Sequence, residues 1–456
     1  MKIIILGAGT VGTTLAISLS QEDNDITVVD NNQSALHHLE EEADIKTVHG
    51  SCSYPNTLVN SGIKEADMVV AVTGSDEINI VSCLISKVLS ENVKTIARIR
   101  ESSYLKDRTK KAIEEGVIPV DIVVSPEKLI TNHIQALIET PGSLQVLEFG
   151  DGLLNLVGVR AIKGGPLIGH EIGDLKKHMP NVDTRVAAIF RKGGAIIPKG
   201  TTTVEAGDEV FFIARRKDAR KVINEMRKKE DPYKYIVIAG GGKIGSALAE
   251  QIEDNHTVKL IEANSEKAKE ISERLVDTIV LEGNVSDKSL LHEENIEECD
   301  VFVAVTNDDE ANVMSCMLAK EMGAHKVIAL INNEAYVDLV QDKGIDVAIA
   351  PSQITIGTFL SELAGDEVVK VHSLRRGAAE AIETIVKEST NGKEDAIGKE
   401  LGNIRLPAGA TIGAIIRKNK AKIAHDDVKL REHDHVILFL TDKKLLPKVQ
   451  QIFSPS

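Results

Sequence analysis

Hydrophobic and polar positions alternate between two regimes along the chain. In the first regime, short apolar runs are separated by segments of helical period. Ile3–Leu6 and Ile26–Asp30 read as strands flanking a glycine loop and a helix over Thr13–Gln21, and Asn31 is placed to cap a helix reaching about Glu42. Further strands are expected at Lys46–Gly50, Met68–Thr73, Thr95–Ile99 and Val120–Val124, and Pro126 opens a helix to about Glu139. Strands that alternate with helices imply a parallel, doubly wound sheet. In the second regime, Leu144–Phe149, Leu154–Val159, Thr184–Phe190 and Glu209–Ala214 read as strands. They are parted by turns such as Lys192-Gly193-Gly194 and by one helical segment near His170–Lys177, which predicts a small α+β domain.

The whole pattern then recurs. Ile3–Leu6 with Gly7-Ala8-Gly9-Thr10-Val11-Gly12 matches Ile236–Ala239 with Gly240-Gly241-Gly242-Lys243-Ile244-Gly245, offset by 233 residues. The same offset carries Asp67 to Asp300, Thr73 to Thr306, Asn79 to Asn312 and Cys83 to Cys316. A fixed-period repeat is the strongest statement a single sequence makes about architecture. The expected organisation is an α/β chain of two tandem Rossmann-like domains, each followed by a small α+β domain. The boundaries fall at 1–140, 141–227, a linker at 228–232, 233–365 and 366–456.

Composition narrows the function. The 456 residues are 42% apolar but only 3% aromatic, with no Trp, which argues against aromatic stacking platforms and cages. The net charge of −15 repels a phosphate backbone, so no nucleic-acid partner is expected. The four cysteines are scattered, implying neither a disulfide framework nor a structural zinc. No apolar run is long enough to span a membrane. The apolar start resembles a signal peptide, but its three glycines and the recurrence of the same pattern in mid-chain point to a strand and loop.

The chemistry sits at the glycine loops. Gly7-x-Gly9-x-x-Gly12 follows a strand, opens a helix, and is followed by Asp30 at the end of the next strand. That context predicts a dinucleotide site: a tight turn, a close approach for a pyrophosphate, and an acid for the adenosine ribose. Asp30 would repel a 2′-phosphate and so favours NAD(H) over NADP(H). The second loop repeats the motif, with Glu262 as its acid and Lys243 as an added cation. Thr73, Gly74 and Thr306 end the fourth strands, on the edge where ligands lie. Arg98 and Arg100 end the fifth and, by alternation, share a face suited to nucleotide phosphates or to a neighbour's carboxylates, or else form a plain surface ion pair. Leu330 and Asn332 replace them in the second copy, so the two sites are expected to be unequal.

No catalytic or metal-binding constellation emerges. His37 and His38 fall on an exposed helix, His170 and His178 sit beside Lys176 and Lys177 with no fixed acid partner, and Lys199 and Asp208 read as turn residues. Arg215, Arg216, Lys217, Arg220, Lys221, Arg227, Lys228 and Lys229 crowd the helix that ends the first copy. That is either a solvated face or a contact for an acidic partner or anionic membrane surface.

Gly7-Ala8-Gly9-Thr10-Val11-Gly12 and Asp30, with Ala71-Val72-Thr73, Asn79, Ala97-Arg98-Ile99-Arg100 and their second-copy partners, resemble the KTN/RCK regulatory domains of potassium channels and transporters, in the tandem order of the TrkA family. The resemblance covers the full chain. It departs where the family often shows Gly-Asp after the third strand, because Gly50-Ser51 and Gly283-Asn284 stand here. It implies a cytoplasmic, non-enzymatic regulatory subunit, peripheral on the cytosolic face of the membrane. Such a subunit binds NAD(H), with ATP or ADP as further candidates, and gates a TrkH/TrkG-like potassium transporter subunit as a homo-oligomer, expected to be a tetramer. The competing reading, an NAD-dependent oxidoreductase, needs a proton-transfer group beside the nicotinamide, and the sequence offers none.

Overall fold

A computed structural model describes residues 1–21, 24–340, 343–363, 368–374, 378–388 and 396–453. The expected boundary at 365/366 lies outside the described residues.

The first sheet contains β1 (Lys2–Leu6), β2 (Asp25–Asp30), β3 (Lys46–His49), β4 (Met68–Ala71), β5 (Lys94–Arg98) and β6 (Ile122–Val124). All pairs are parallel, in the order β3-β2-β1-β4-β5-β6. The order reverses at β1, so the C-terminal ends of β1 and β4 border a crevice. Both faces are buried, because alternate residues of each strand feed separate cores. Ile3, Ile5, Val28 and Val70 pack on one side, and Ile4, Leu6, Val29 and Ala71 on the other. The helix after β1 begins at Thr10, three residues earlier than expected, and runs to Ser20. The cap of the next helix is Asn32 rather than Asn31: its carboxamide oxygen accepts the N–H groups of Ser34 and Ala35.

The first small sheet contains β7 (Ser143–Phe149), β8 (Leu154–Arg160), β9 (Thr184–Arg191), β10 (Gly194–Ile196) and β11 (Glu209–Arg215), in the order β10-β9-β11-β8-β7. The short β10 was read from sequence as part of a turn. That turn is instead a tight hairpin, in which Lys192 and Gly193 both take positive φ.

The second copy repeats both designs. Its parallel sheet contains β12 (Tyr235–Ala239), β13 (Thr257–Glu262), β14 (Ile279–Glu282), β15 (Val301–Ala304), β16 (Lys326–Leu330) and β17 (Val347–Ile349), in the order β14-β13-β12-β15-β16-β17. Its small sheet contains β18 (Val368–Leu374), β19 (Ala379–Ile385), β20 (Ala410–Arg417), β21 (Lys420–Ile423) and β22 (His435–Leu440), with the strand order of its counterpart.

The chain forms two compact units that do not follow the repeat. One holds residues 1–129 and 352–363, and the other holds 130–351 and 364–456. In the first unit, Ile356, Phe359 and Leu363 of the helix Pro351–Leu363 pack into the core built on Ile3, Ile5 and Val70. In the second, the two small sheets share one core, in which Phe149, Leu156 and Phe211 meet Ala381, Ile437 and Phe439. Asp208 is part of this framework and not a plain turn residue. It is buried and takes two bonds of 2.8 Å from the Arg191 guanidinium, an arrangement repeated by Asp434 and Arg417.

Candidate functional site

The glycine loops follow β1 and β12, and each glycine has its own physical reason. Gly7 and Gly240 take φ of +113° and +107°, and a side chain at either would meet the backbone of Thr73 or Thr306. A Cβ on Gly12 or Gly245 would lie 1.9 Å from the carbonyl oxygen of Gly7 or Gly240, so loop and helix close only with hydrogen there. The middle glycines behave oppositely. A Cβ on Gly9 or Gly242 meets nothing within 4 Å, so each borders an open cradle.

Gly9 and Gly242 are also the N-caps of the helices Thr10–Ser20 and Lys243–Ile252, and neither helix has a side-chain cap. The helices after the next strands are capped, by Asn32 and Asn264. The N–H groups of the loop helices, with the positive end of the helix dipole, therefore face the cradle and suit an anion. Thr10 and Lys243, the first helical residues, are exposed at its rim, while Val11 and Ile244 are partly buried and Ala8 and Gly241 are buried.

The acids hold the loops from the neighbouring strand. Asp30 accepts the N–H of Ala8 at 2.6 Å and of Asn32 at 2.7 Å. Glu262 accepts those of Gly241 and Asn264, both at 2.9 Å. Each carboxylate oxygen keeps a second lone pair, so Asp30 remains able to accept from a ribose diol. Glu262 is more enclosed, with Lys267 at 3.3 Å. Burial opposes its ionisation, but the Asn264 and Gly241 N–H groups and Lys267 hold it below the usual carboxylate range.

Across the crevice, Thr73 and Thr306 lie just past β4 and β15. A residue pair given no role from sequence fixes them. Asn79 is fully buried, and its oxygen accepts the Thr73 N–H at 2.9 Å and hydroxyl at 2.7 Å, while its nitrogen donates to the Arg98 carbonyl at 2.9 Å. Asn312 does the same for Thr306 and the Leu330 carbonyl. The repeat had matched the two Asn. What identifies them as clamps is that each ties the ends of two adjacent strands.

The two arginines part company. Arg98 ends β5, largely enclosed, and its Nε has no hydrogen-bond partner. Burial makes its guanidinium hold its proton less tightly, as does the charge of Arg100, while Glu127 and Asp76 act the other way. Arg100 lies beyond the strand. It donates to the Gly74 carbonyl, and its backbone N–H donates to Asp76 at 2.9 Å. It is thus a tether on the exposed Gly74 turn. In the second copy, Asp309 binds the backbone and side chain of Asn332 instead, and Leu330 is buried.

Other candidates resolve away from the loops. His178 has an acid partner after all, Glu225 at 2.9 Å, supplied by the next helix. Much of the basic run is tied internally: Arg216 to Glu139, Lys221 to Asp218, and Arg227 to Glu230 and the Gly142 carbonyl. Among the described residues no cluster of His, Cys, Asp and Glu is arranged to hold a metal ion, and no helix is long and apolar enough to cross a membrane.

Comparison with known proteins bears on the fold and the family. The TrkA-N domain model matches residues 3–126 and again 236–351, which span both glycine loops, and the TrkA-C domain model matches 156–227. The Trk system potassium uptake protein TrkA of Halomonas elongata is 52% identical over 99% of this chain and 98% of its own length. That of Vibrio alginolyticus is 49% identical over 100% of this chain and 99% of its own. Among solved structures, the GsuK channel bound to NAD superposes with a TM-score of 0.62 at 18% identity, over 100% of this chain and 79% of that one, a likeness of fold. The two nucleotide-type sheets, their small partner sheets and full-length relatives above 40% identity lead to one conclusion: the chain belongs to the TrkA family of Trk-system potassium uptake proteins.

Proposed function

We propose that this chain is the nucleotide-binding regulatory subunit of a Trk-type potassium transporter. It binds NAD(H) at Gly7–Gly12 and Asp30, works on the cytosolic face of the membrane beside a TrkH/TrkG-like subunit, and performs no chemistry on its ligand. The observation that carries the reading is the pair of uncapped helix N-termini at Gly9 and Gly242, each facing open space. A bound dinucleotide supplies a pyrophosphate for those N–H groups and a ribose diol for Asp30. The chain's own residues do the rest: the glycines set the approach, Asn79 fixes Thr73 at the opposite lip, and Asp30 selects against a 2′-phosphate.

Arg98, unpartnered at Nε, supports ATP or ADP as a second ligand class at the first site only. The homo-oligomer, a tetramer in this reading, draws support from two matched helix faces. Ile78, Val81, Leu84 and Val88 are exposed on Asp76–Leu89, and Met314 and Met317 are exposed on Asp309–Met322. A ligand gates a pore by binding one arrangement of such an assembly better than another.

Calorimetric titration tests the assignment. NADH binds more tightly than NADPH, and Asp30→Ala narrows the gap; equal affinity in the parent protein overturns the ribose assignment. Deleting the chain from its cell impairs potassium uptake, and uptake indifferent to the deletion overturns the regulatory role. NADH absorbance stays flat with hydroxy acids, alcohols and aldehydes, and steady turnover of any of these would restore the oxidoreductase reading.

A further inference from the structure

The turn between the helix Pro126–Glu139 and β7 is held by an unusual set of groups, all within the second unit. Lys326, the first residue of β16, is buried at 5% exposure, and its Nζ donates to the carbonyls of Leu137 at 3.2 Å and Ser143 at 2.9 Å. The Tyr233 ring lies 5.8 Å from that nitrogen. The Tyr233 hydroxyl accepts the Gly142 N–H at 3.2 Å and donates to Glu230 at 2.9 Å. Arg227 donates to the Gly142 carbonyl at 2.9 Å and pairs with Glu230. Gly142 has φ of +81°, and a Cβ there would press on the Arg227 side chain. Four side-chain-to-backbone bonds, from Arg227, Tyr233 and Lys326, thus converge on residues 137–143.

We propose that Lys326 makes this junction a pH-dependent clamp, closed over the 137–143 turn when its amine is neutral and loosened when it is charged. A neutral amine has two N–H bonds, one for each carbonyl it serves. The ammonium adds a charge in a site closed to water. Asp346 and Glu230 favour the charged amine and Arg227 and Lys320 oppose it, but the lost hydration outweighs the anions. Burial first, and those two cations after it, lower the Lys326 pKa from 10.5 to about 7.

Three titratable groups around it, His133, Glu230 and Tyr233, keep one charge state near neutrality. Burial and the Lys326 charge bring His133 down to about 4, so it is uncharged. Glu230 titrates at about 2, and burial pushes Tyr233 upward. His325 lies at the surface, 3.3 Å from Glu230. With the closed-state pKa below the open-state value, the Lys326 contribution to closure strengthens as pH rises from about 7 to about 10.5, and is insensitive to pH below about 6. Between pH 6 and pH 8 the closed form gains about tenfold.

Hydrogen exchange of the full-length protein tests the clamp. It is done in a His325→Gln background and corrected for intrinsic rates. Protection of the amides at 142–145 rises about tenfold from pH 6 to pH 8, while amides of β12 and β13 do not follow. Lys326→Met abolishes the rise. Lys326→Arg, charged at both pH values, keeps the turn at its acid-side protection even at pH 8. A flat profile in the parent, a rise that survives Lys326→Met, or an equal rise throughout β12 and β13 overturns the proposal. If Lys326→Met does not fold, the Arg variant decides: pH-8 protection equal to the parent's overturns it.

Discussion

Two of the glycines in the first loop should separate binding from stability. Gly9 has φ −75° and ψ −178°, a conformation alanine adopts without strain, and its Cβ would enter empty space. Gly9→Ala should therefore leave the fold as stable or stabilise it by about 0.4–1 kcal/mol, through a less flexible unfolded chain. That same methyl occupies the cradle in which a pyrophosphate would meet the helix N-terminus. Losing one or two charge-assisted hydrogen bonds costs about 1.5–3 kcal/mol each, so NADH affinity should fall at least tenfold.

Gly12→Ala is the mirror case. Its Cβ would stand 1.9 Å from the Gly7 oxygen, so the loop and helix must separate by more than ~1 Å, at an overpacking cost of about 1–3 kcal/mol. Calorimetry with NADH reads the affinity, with Gly242→Ala present throughout so that only the first loop reports. Urea unfolding followed by exchange of β1 and β4 amides reads the stability of the first unit. A Gly9→Ala protein that binds NADH like its parent, or loses stability like Gly12→Ala, would refute the open-cradle reasoning.

Three further outcomes follow from the structure. Arg98→Ala should weaken ATP binding at the first site, whereas Arg100→Ala should mainly loosen the Gly74 turn, visible as faster exchange there; the reverse pattern would exchange their roles. Arg191→Met leaves Asp208 buried without its partner and should cost about 3–5 kcal/mol, as should Arg417→Met for Asp434, measured by urea unfolding of the second unit. Glu230 has its pKa lowered from 4.5 to about 2: burial opposes ionisation, but the His325, Arg227 and Tyr233 contacts outweigh it. Its contribution is therefore present above pH 4.5 and lost as pH falls through 2, and Glu230→Gln should remove that part of the acid dependence of the 142–145 amides.

Much of this architecture was legible because the signals are local. The glycine loops, the acid at the end of β2 and the placing of Thr73 at the sheet edge follow from period and spacing, and the repeat doubled each of them. What period does not encode is the partner of a polar side chain. Asp208 looked like a turn residue because Arg191, its partner, comes from another strand of the hairpin-linked sheet. Arg100 looked like a phosphate ligand because alternation was extended past Arg98, where β5 ends. His178 lacked an acid only within its own segment. Asn79 and Asn312 stood in the repeat without a role, since a carboxamide bridging two strand ends leaves no trace in spacing. Nor does period say which sheet the helix Pro351–Leu363 serves.

That helix sets a timetable for synthesis. The first sheet is complete in sequence by residue 129, yet part of the cover of one of its faces, Ile356, Phe359 and Leu363, comes more than 220 residues later. At about 5–20 residues per second, a ribosome takes roughly 10–45 s to deliver them. Through that interval Ile3, Ile5 and Val70 await their last neighbours, and an apolar face is left for chaperones to shelter. Divided at the repeat, the first half would lack part of its own core. A fragment ending near residue 232 lacks Phe359, and a fragment beginning there carries a helix made for a sheet it does not contain. The core of the first copy is thus finished by a helix of the second, and the duplication is stitched together within a single chain.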